Sequence, residues 1–562
     1  MKYLLPIVAA VLIVGSLQLT RSGYSVDEEF TVFAVRGIDA HGLPLLPSGL
    51  LYDRGVGYSY AAWGAKAITG AELPAYRAIG LLCAIASLWL VFVLVRRLSN
   101  ELAAVLATLL VALSVPFWAV ATTGRFYAPF LVLYLAALIA LPASIWLALI
   151  LAFASRLTHE LAFTLIAVPI ICGLADRDGR RQWLRATLAV GAGLIAAQLL
   201  LFALHWLAPS SGETMVRRFF LWQVLNLFER PGDRQFAIPL VVMVIGWLLV
   251  PARAWLVSVT ALSLAAMIAV FSIAQASNIA PLSMPMIHDI LEQGSRYPLH
   301  MFRHIAQTMP LTLLAAITML ILRLGGAAAE WPARERALHA LWIGWVLWFG
   351  VIDSGITTNY LLLPISFMIM AIAVDANAIL IDPRAPARRY FNAPRPAYAA
   401  LVALVLIIGT DQWRRNSLES ARPTIATDAI ASIRAELKTT DRIVCTDELG
   451  CLMAIGRIDR WLALDNYVRE RFVVKKADGS ETGVYSGVPV AFRPTDLFEP
   501  NADGSLPNRI LIVDIFKEYP IGNSRTWLPR AIELDGVPVT PLFETPQMRI
   551  VEISQPERHA AR

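Results

Sequence analysis

Asp27, Glu28 and Glu29 stand together just after the first apolar run of the chain, in the order Ser25-Val26-Asp27-Glu28-Glu29. Carboxylates held at a membrane surface, beside a wall of low dielectric, can take a proton from a hydroxyl or hold a divalent cation. The same spacing has a structural explanation of equal weight. Ser25-x-x-Glu28 fits a capping box, and acidic side chains favour the first turn of a helix. Both hold if Ser25 and Glu28 start a surface helix that presents Asp27.

Cations recur in the segments that follow. Tyr52-Asp53-Arg54-Gly55 puts Arg54 near the height of lipid headgroups, where a guanidinium can hold a phosphate bidentately or serve as a snorkelling anchor. The segment TTGRFYAPF from Thr122 carries Arg125 and Tyr127 among apolar residues, and an arginine at a tight turn there must face a polar cavity or the headgroups. SRLTHE from Ser155 adds Arg156, His159 and Glu160; His159 could touch phosphate, bind metal or cap a helix. A later segment, His288 to His304, holds Arg296 and Tyr297 among further ionisable groups, a density beyond what a passive connector needs.

Long apolar runs must position these segments. Of the 562 residues, 57% are hydrophobic and 16% charged, with mean hydropathy +0.60. An average soluble chain has about 25% charged residues, so a purely soluble, disordered or disulfide-scaffold protein is excluded. The charge is also uneven. Up to Asp411 there are 28 Lys and Arg against 21 Asp and Glu, about 12% of that part; after it there are 20 and 21, about 27%.

Crossing about 30 Å of hydrocarbon takes near 20 apolar residues, fewer where a helix is shielded in a bundle. Runs near 4–20, 78–95, 102–120, 127–141, 143–155, 161–175, 184–207, 236–250, 255–275, 305–322, 338–352, 361–380 and 398–411 predict about thirteen transmembrane helices. With Lys2 in the cytoplasm, Arg96 and Arg97, the cluster from Arg177 to Arg185, Arg253, Arg323 and the stretch from Arg384 to Arg395 all fall inside, as the positive-inside rule requires. The net charge of +6 therefore reports topology rather than nucleic-acid binding. The first run lacks a clear small-x-small cleavage site after it and reads as an uncleaved span.

An odd number of spans leaves the tail on the outer face, together with Arg21–Arg77, Pro209–Gln235 and Ala276–His304. The chain thus divides into a membrane part, 1–411, and a soluble α/β domain, 412–562. The tail predicts a helix near Thr427 to Leu437 and strands at RIVCTD from Arg442, ILIVDIF from Ile510 and RIVEIS from Arg549. It has no glycine-rich phosphate fingerprint. Cys445 and Cys451 could pair in an oxidising compartment, and two buried thiols are the equal alternative.

In this order the motifs resemble the GT-C superfamily of polytopic glycosyltransferases that use polyprenyl-phosphate sugars, among them the protein O-mannosyltransferases and the aminoarabinose transferase of lipid A. The residues that carry the resemblance are Asp27-Glu28 after the first span, YDRG with Arg54, GRFY with Arg125 and Tyr127, LTHE with His159, and TNYLLLP with Tyr360. Two positions depart from the pattern. Relatives often have Arg-Tyr where this chain has Asn359-Tyr360, and a Lys-Pro-Pro-like segment where it has Asp53-Arg54-Gly55; Arg296-Tyr297 would supply the cation lost at the first.

The resemblance implies direct displacement at the anomeric carbon of the sugar, with inversion. Asp27 would accept the proton of an acceptor hydroxyl, with Glu28 or Glu29 assisting. Arg54, Arg125 and Arg296 would neutralise charge growing on the departing phosphate, and Tyr127, His159, Tyr297 and Tyr360 would line the phosphate or sugar. The implied partners are a polyprenyl-phosphate sugar donor, a lipid, glycan or protein acceptor and the membrane, with no nucleic acid. The implied location is a bacterial inner membrane with the C-terminal domain in the periplasm. Some relatives bind a divalent metal, for which no ligand set is readable here.

Two other classes stay open. A transporter or flippase for a lipid-linked sugar would place ionisable groups near the bilayer midplane in broken helices, whereas these spans are almost uncharged inside, Asp375 excepted. A membrane-anchored scaffold would explain the tail but not a large bundle with polar outer loops.

Overall fold

The computed structural model describes residues 3–20, 23–24, 27–176, 179–208, 305–306, 309–326, 331–352, 361–386, 394–420, 430–463, 472–476, 478–500, 506–507, 509–515, 539–544 and 548–553. Every apolar run within these residues is helical, as expected of backbone that must satisfy its own N–H and C=O groups away from water. The helices are α1 (Leu4–Leu19), α2 (Glu28–His41), α3 (Val56–Thr69), α4 (Leu73–Leu98), α5 (Glu101–Leu113), α6 (Val115–Ala121), α7 (Tyr127–Ala140) and α8 (Ile145–Thr158). After a 3-10 segment, Glu160–Ile166, come α9 (Ala167–Ala175), α10 (Arg180–Leu207), α11 (Pro310–Leu324), α12 (Ala333–Ile352), α13 (Leu362–Ala376) and α14 (Pro394–Ser420). The expected spans at 236–250 and 255–275 lie outside the described residues.

Among the described residues four helices are long and apolar enough to cross a membrane: Leu73–Leu98, Arg180–Leu207, Leu362–Ile381 and Pro396–Arg414. Shorter apolar helices stand beside them. Sequence composition alone places helix ends well where a cap is present: Asn100 accepts from Ala103 N–H at the start of α5, and Ser144 from Leu147 N–H at the start of α8. It does not foresee a break.

The run expected as one span at 102–120 is two helices, α5 and α6, bent by 65° at Ser114. Ser114 is extended and Pro116, with no N–H to give, opens the next helix. The freed N–H of Val115 donates to Gln412 Oε1 at 3.1 Å, and the fully buried Gln412 donates in turn to Thr312 Oγ1. A buried amide left without a partner would cost about 1–3 kcal/mol, so the carboxamide makes the bend tenable.

A second polar feature lies among α11, α12 and α13. Arg323 donates to Asp375 at 2.7 Å and also to Glu335, while His339 Nε2 stands 2.9 Å from the second oxygen of Asp375. All four side chains are buried. Asp375, the exception noted in the sequence, is thus matched by a guanidinium.

Residues 430–553 contain a six-stranded mixed sheet. Its strands are β1 (Asp441–Cys445), β2 (Arg460–Leu462), β5 (Val490–Ala491), β6 (Arg509–Ile515), β7 (Val539–Glu544) and β8 (Met548–Ile553), in the order β5-β2-β1-β6-β8-β7. The pairings from β5 to β6 are parallel and the last two antiparallel. A separate hairpin is made by β3 (Val473–Lys475) and β4 (Glu481–Gly483). Helices α15 (Ala431–Glu436) and α16 (Glu448–Ile455) flank β1. The three segments read as strands from the sequence are β1, β6 and β8. Cys445 and Cys451 are joined as a disulfide, one of the two alternatives the sequence left open.

Candidate active site

The site is built where the start of α2, the loop before α3 and the turn before α7 converge. Asp27 is the N-cap residue of α2 and has φ 74°, the only positive φ outside glycine among the described residues. Aspartate tolerates this left-handed conformation better than most residues, yet it persists only where the surroundings enforce it. What enforces it is the next side chain.

Glu28, fully buried, accepts from Arg77 Nε at 2.8 Å, from Arg77 Nη2 at 2.6 Å and from the N–H of Gly124 at 2.7 Å. One carboxylate thereby ties the start of α2 to α4 and to the turn at Thr122. Gly124 has to be glycine for this, because a Cβ there would lie 2.9 Å from Tyr76 Cβ. The helix that Glu28 opens is not a surface helix. Glu28, Glu29 and six further residues of α2 are buried, Glu28 is committed to Arg77, and Ser25 lies outside the described residues.

Arg125 follows Gly124 and is 3% exposed. It donates from Nη1 to the hydroxyl of Tyr52 at 2.8 Å. Its guanidinium carbon lies 4.5 Å from the ring centre of Phe126, 5.5 Å from Phe30, 5.9 Å from Tyr52 and 6.0 Å from Tyr127. Four π-faces and a phenol therefore hold this cation, and its Nε has no hydrogen-bond partner among the described residues. Burial works against the charge, while Tyr52 and Asp27 favour it, leaving the guanidinium harder to deprotonate than usual.

Next to this cage lies a small cleft lined by Asp53, Arg54, Gly55, Phe126, Arg156, His159 and Glu160, with a volume of about 10 Å³, near the room for one water. Arg54 donates to Glu160 at 2.8 Å, Arg156 to Gln198 at 2.7 Å, and His205 stands 3.3 Å from Asp53. Phe126 is the wall shared by cage and cleft. Gly55, at φ 79°, makes room for it, since a Cβ there would come within 2.5 Å of the ring. His159 accepts the N–H of Leu161 on Nδ1 and packs against Phe126, Tyr127 and Phe130. Burial pushes its imidazole down to about 3, so it is neutral near pH 7.

Of the residues expected from the sequence, Asp27, Glu28, Arg54, Arg125, Tyr127 and His159 are brought together. Arg296, Tyr297 and Tyr360 lie outside the described residues. Sequence reasoning missed Phe30 and Tyr52, although Tyr52 opens the YDRG motif and an aromatic ring beside a buried guanidinium is a readable signal. Among the described residues no three His, Cys, Asp or Glu side chains converge as metal ligands. Glu28 and Glu160 are each paired with an arginine.

No protein-family profile matches the sequence, and no curated protein does. Solved structures do match. The fold is similar to that of ArnT from Cupriavidus metallidurans bound to undecaprenyl phosphate, with TM-score 0.52 and 11% identity over 98% of each chain. The apo form of that protein matches with TM-score 0.51 and 12% identity, again over 98% of each chain. The oligosaccharyltransferase of Archaeoglobus fulgidus, tethered to an acceptor peptide containing the NVT sequon, matches with TM-score 0.50 and 11% identity over 91% of this chain and 69% of that one. The chain therefore shares the fold of these proteins.

Proposed function

We propose that this protein is a membrane glycosyltransferase that moves a sugar from a polyprenyl-phosphate donor to a hydroxyl acceptor at the outer face of a bacterial inner membrane. The observation that carries this reading is Arg125: a buried guanidinium caged by aromatic rings, with an Nε that no group among the described residues accepts, beside the carboxylate of Asp27. A buried cation of this kind is poised for an external anion, and a phosphate ester accepts from it bidentately. The match to ArnT bound to undecaprenyl phosphate supports a lipid-linked phosphate as that anion.

Asp27 takes the proton of the acceptor hydroxyl, and the oxygen attacks the anomeric carbon from the side opposite the phosphate. The bond between that carbon and the phosphate oxygen breaks, its electron pair leaves with the polyprenyl phosphate, and the configuration inverts. Phosphate is already a good leaving group, so no acid is needed; Arg125 and Arg54 neutralise the charge it gains. Glu28, held by Arg77, shapes the backbone that aims Asp27. In this reading the apolar runs make about thirteen spans and the 412–562 domain stands in the periplasm, on the same side as Asp27. Asp375 does not favour a transporter, because Arg323 and His339 match it.

The test is transfer from undecaprenyl-phosphate sugars by purified protein in lipid, with Asp27→Asn as the control. Transfer by the wild type and about a thousandfold less by the variant is expected. Full activity in Asp27→Asn removes Asp27 from the mechanism, and donor flipping without transfer by the wild type replaces the whole reading.

A further inference from the structure

Among the described residues, the contacts of the C-terminal unit with the segment that carries the site include two hydrogen bonds and one ring pair. Tyr24 donates its hydroxyl to the carbonyl of Gly450 at 2.5 Å, and Ser48 N–H donates to the carbonyl of Tyr485 at 3.1 Å. The third is a ring contact: Tyr485 meets Phe30 at 84°, with centroids 4.8 Å apart. Tyr485 sits in the turn between β4 and β5, and one carboxylate organises that turn. Glu448, at the start of α16 and 2% exposed, accepts both the N–H and the hydroxyl of Ser486.

Phe30 also faces the site. It stacks on Tyr52 at 5.5 Å with planes 19° apart, and lies 5.5 Å from the guanidinium carbon of Arg125. One half-buried ring on the first turn of α2 therefore has a tyrosine of the C-terminal unit on one side and the cationic centre on the other. Arg125 is located by π-faces rather than by a carboxylate clamp, so its position depends on how firmly those rings are held.

We infer that Tyr485 is a positioning residue for the site: through Phe30 it holds the aromatic cage around Arg125, so that the donor phosphate is bound at full strength only when the C-terminal unit is docked. This rests on the glycosyltransferase reading above. The unit is then a working part of the donor site, although Tyr485 is 360 residues from Arg125 in sequence, and not only an appendage that meets the acceptor.

Binding of undecaprenyl phosphate to the purified full-length protein tests this. Tyr485→Ala should weaken affinity about threefold to tenfold, the effect of losing one aromatic pair. Tyr485→Phe should bind like the wild type, because the ring edge makes the contact. Phe30→Leu should cost a similar factor, and combining it with Tyr485→Ala should add little, since both act on one cage. Wild-type affinity in Tyr485→Ala, or losses that simply multiply in the double variant, overturns the inference and leaves the role of Arg125 standing. If Tyr485→Ala does not fold, Tyr485→Leu carries the same expectation. A wild type that does not bind undecaprenyl phosphate, or an Arg125→Ala variant that binds it equally well, defeats the donor reading and this inference with it.

Discussion

Arg323 and Arg125 are buried to nearly the same extent, at 4% and 3% exposure, in opposite surroundings. Arg323 is matched by Asp375 and Glu335, with His339 completing the cluster, and its hydrogen bonds are directed at carboxylates on two other helices. Arg125 has aromatic faces, one phenol and the nearby charge of Asp27. On the proposed function, the difference separates a cation that holds helices together from one that receives the donor phosphate. Both need a reason to exist in an apolar bundle, and among the described residues only the first of the two is hydrogen-bonded to carboxylates.

The contrast can be broken or sharpened by measurement. The largest effect should come from Asp27→Asn, which keeps a side chain tolerant of the left-handed backbone but removes the base; transfer should fall about a thousandfold with the melting temperature unchanged. A variant that melts much earlier would make Asp27 a structural residue instead. Next, Arg323→Met strands Asp375 and Glu335 without their guanidinium and should destabilise the detergent-purified protein by about 3 kcal/mol, while the folded fraction still binds undecaprenyl phosphate. Arg125→Met should do the reverse: donor affinity falls about thirtyfold, as expected for charged hydrogen bonds, and thermal stability holds or rises. If the two methionine variants behave alike, the distinction between the arginines is lost.

The smallest effect concerns Glu448. Burial pushes its carboxyl from an ordinary 4.5 up to about 7, against the hydrogen bonds from Ser486. Between these values the folded chain keeps a proton that the unfolded chain has released, so stability of the C-terminal unit should fall as pH rises from about 4.5 to 7 and level off above that. Thermal unfolding of the full-length protein across this range reads the slope, and Glu448→Gln should flatten it.

Much of this architecture is visible in the sequence because it rests on local pattern. Apolar length gives the helices, short runs rich in β-branched residues give β1, β6 and β8, and cations in the turns between apolar runs mark Arg54 and Arg125. What stays hidden depends on partners far along the chain. Glu28 reads as a helix cap until Arg77 and Gly124 are placed around it. Phe30 looks like one more apolar residue of α2, and Tyr485 like part of an ordinary turn, because their meeting spans 455 residues. The break at Ser114 is hidden for a related reason: Val115 through Ala121 is as apolar as what precedes it, and the glutamine that permits the bend is in another helix.

That glutamine has an effect beyond its own hydrogen bonds. Gln412 is anchored at the elbow from which the chain runs through one short helix into the turn bearing Gly124 and Arg125, and it also belongs to α14. A single amide therefore acts as a depth gauge, setting the height of α14 against the height of the guanidinium. Sliding α14 by one turn, about 5.4 Å, would pull this gauge out of its notch. An insertion of three or four residues ahead of Gln412 should then be felt at the elbow, even though it leaves every apolar stretch long enough.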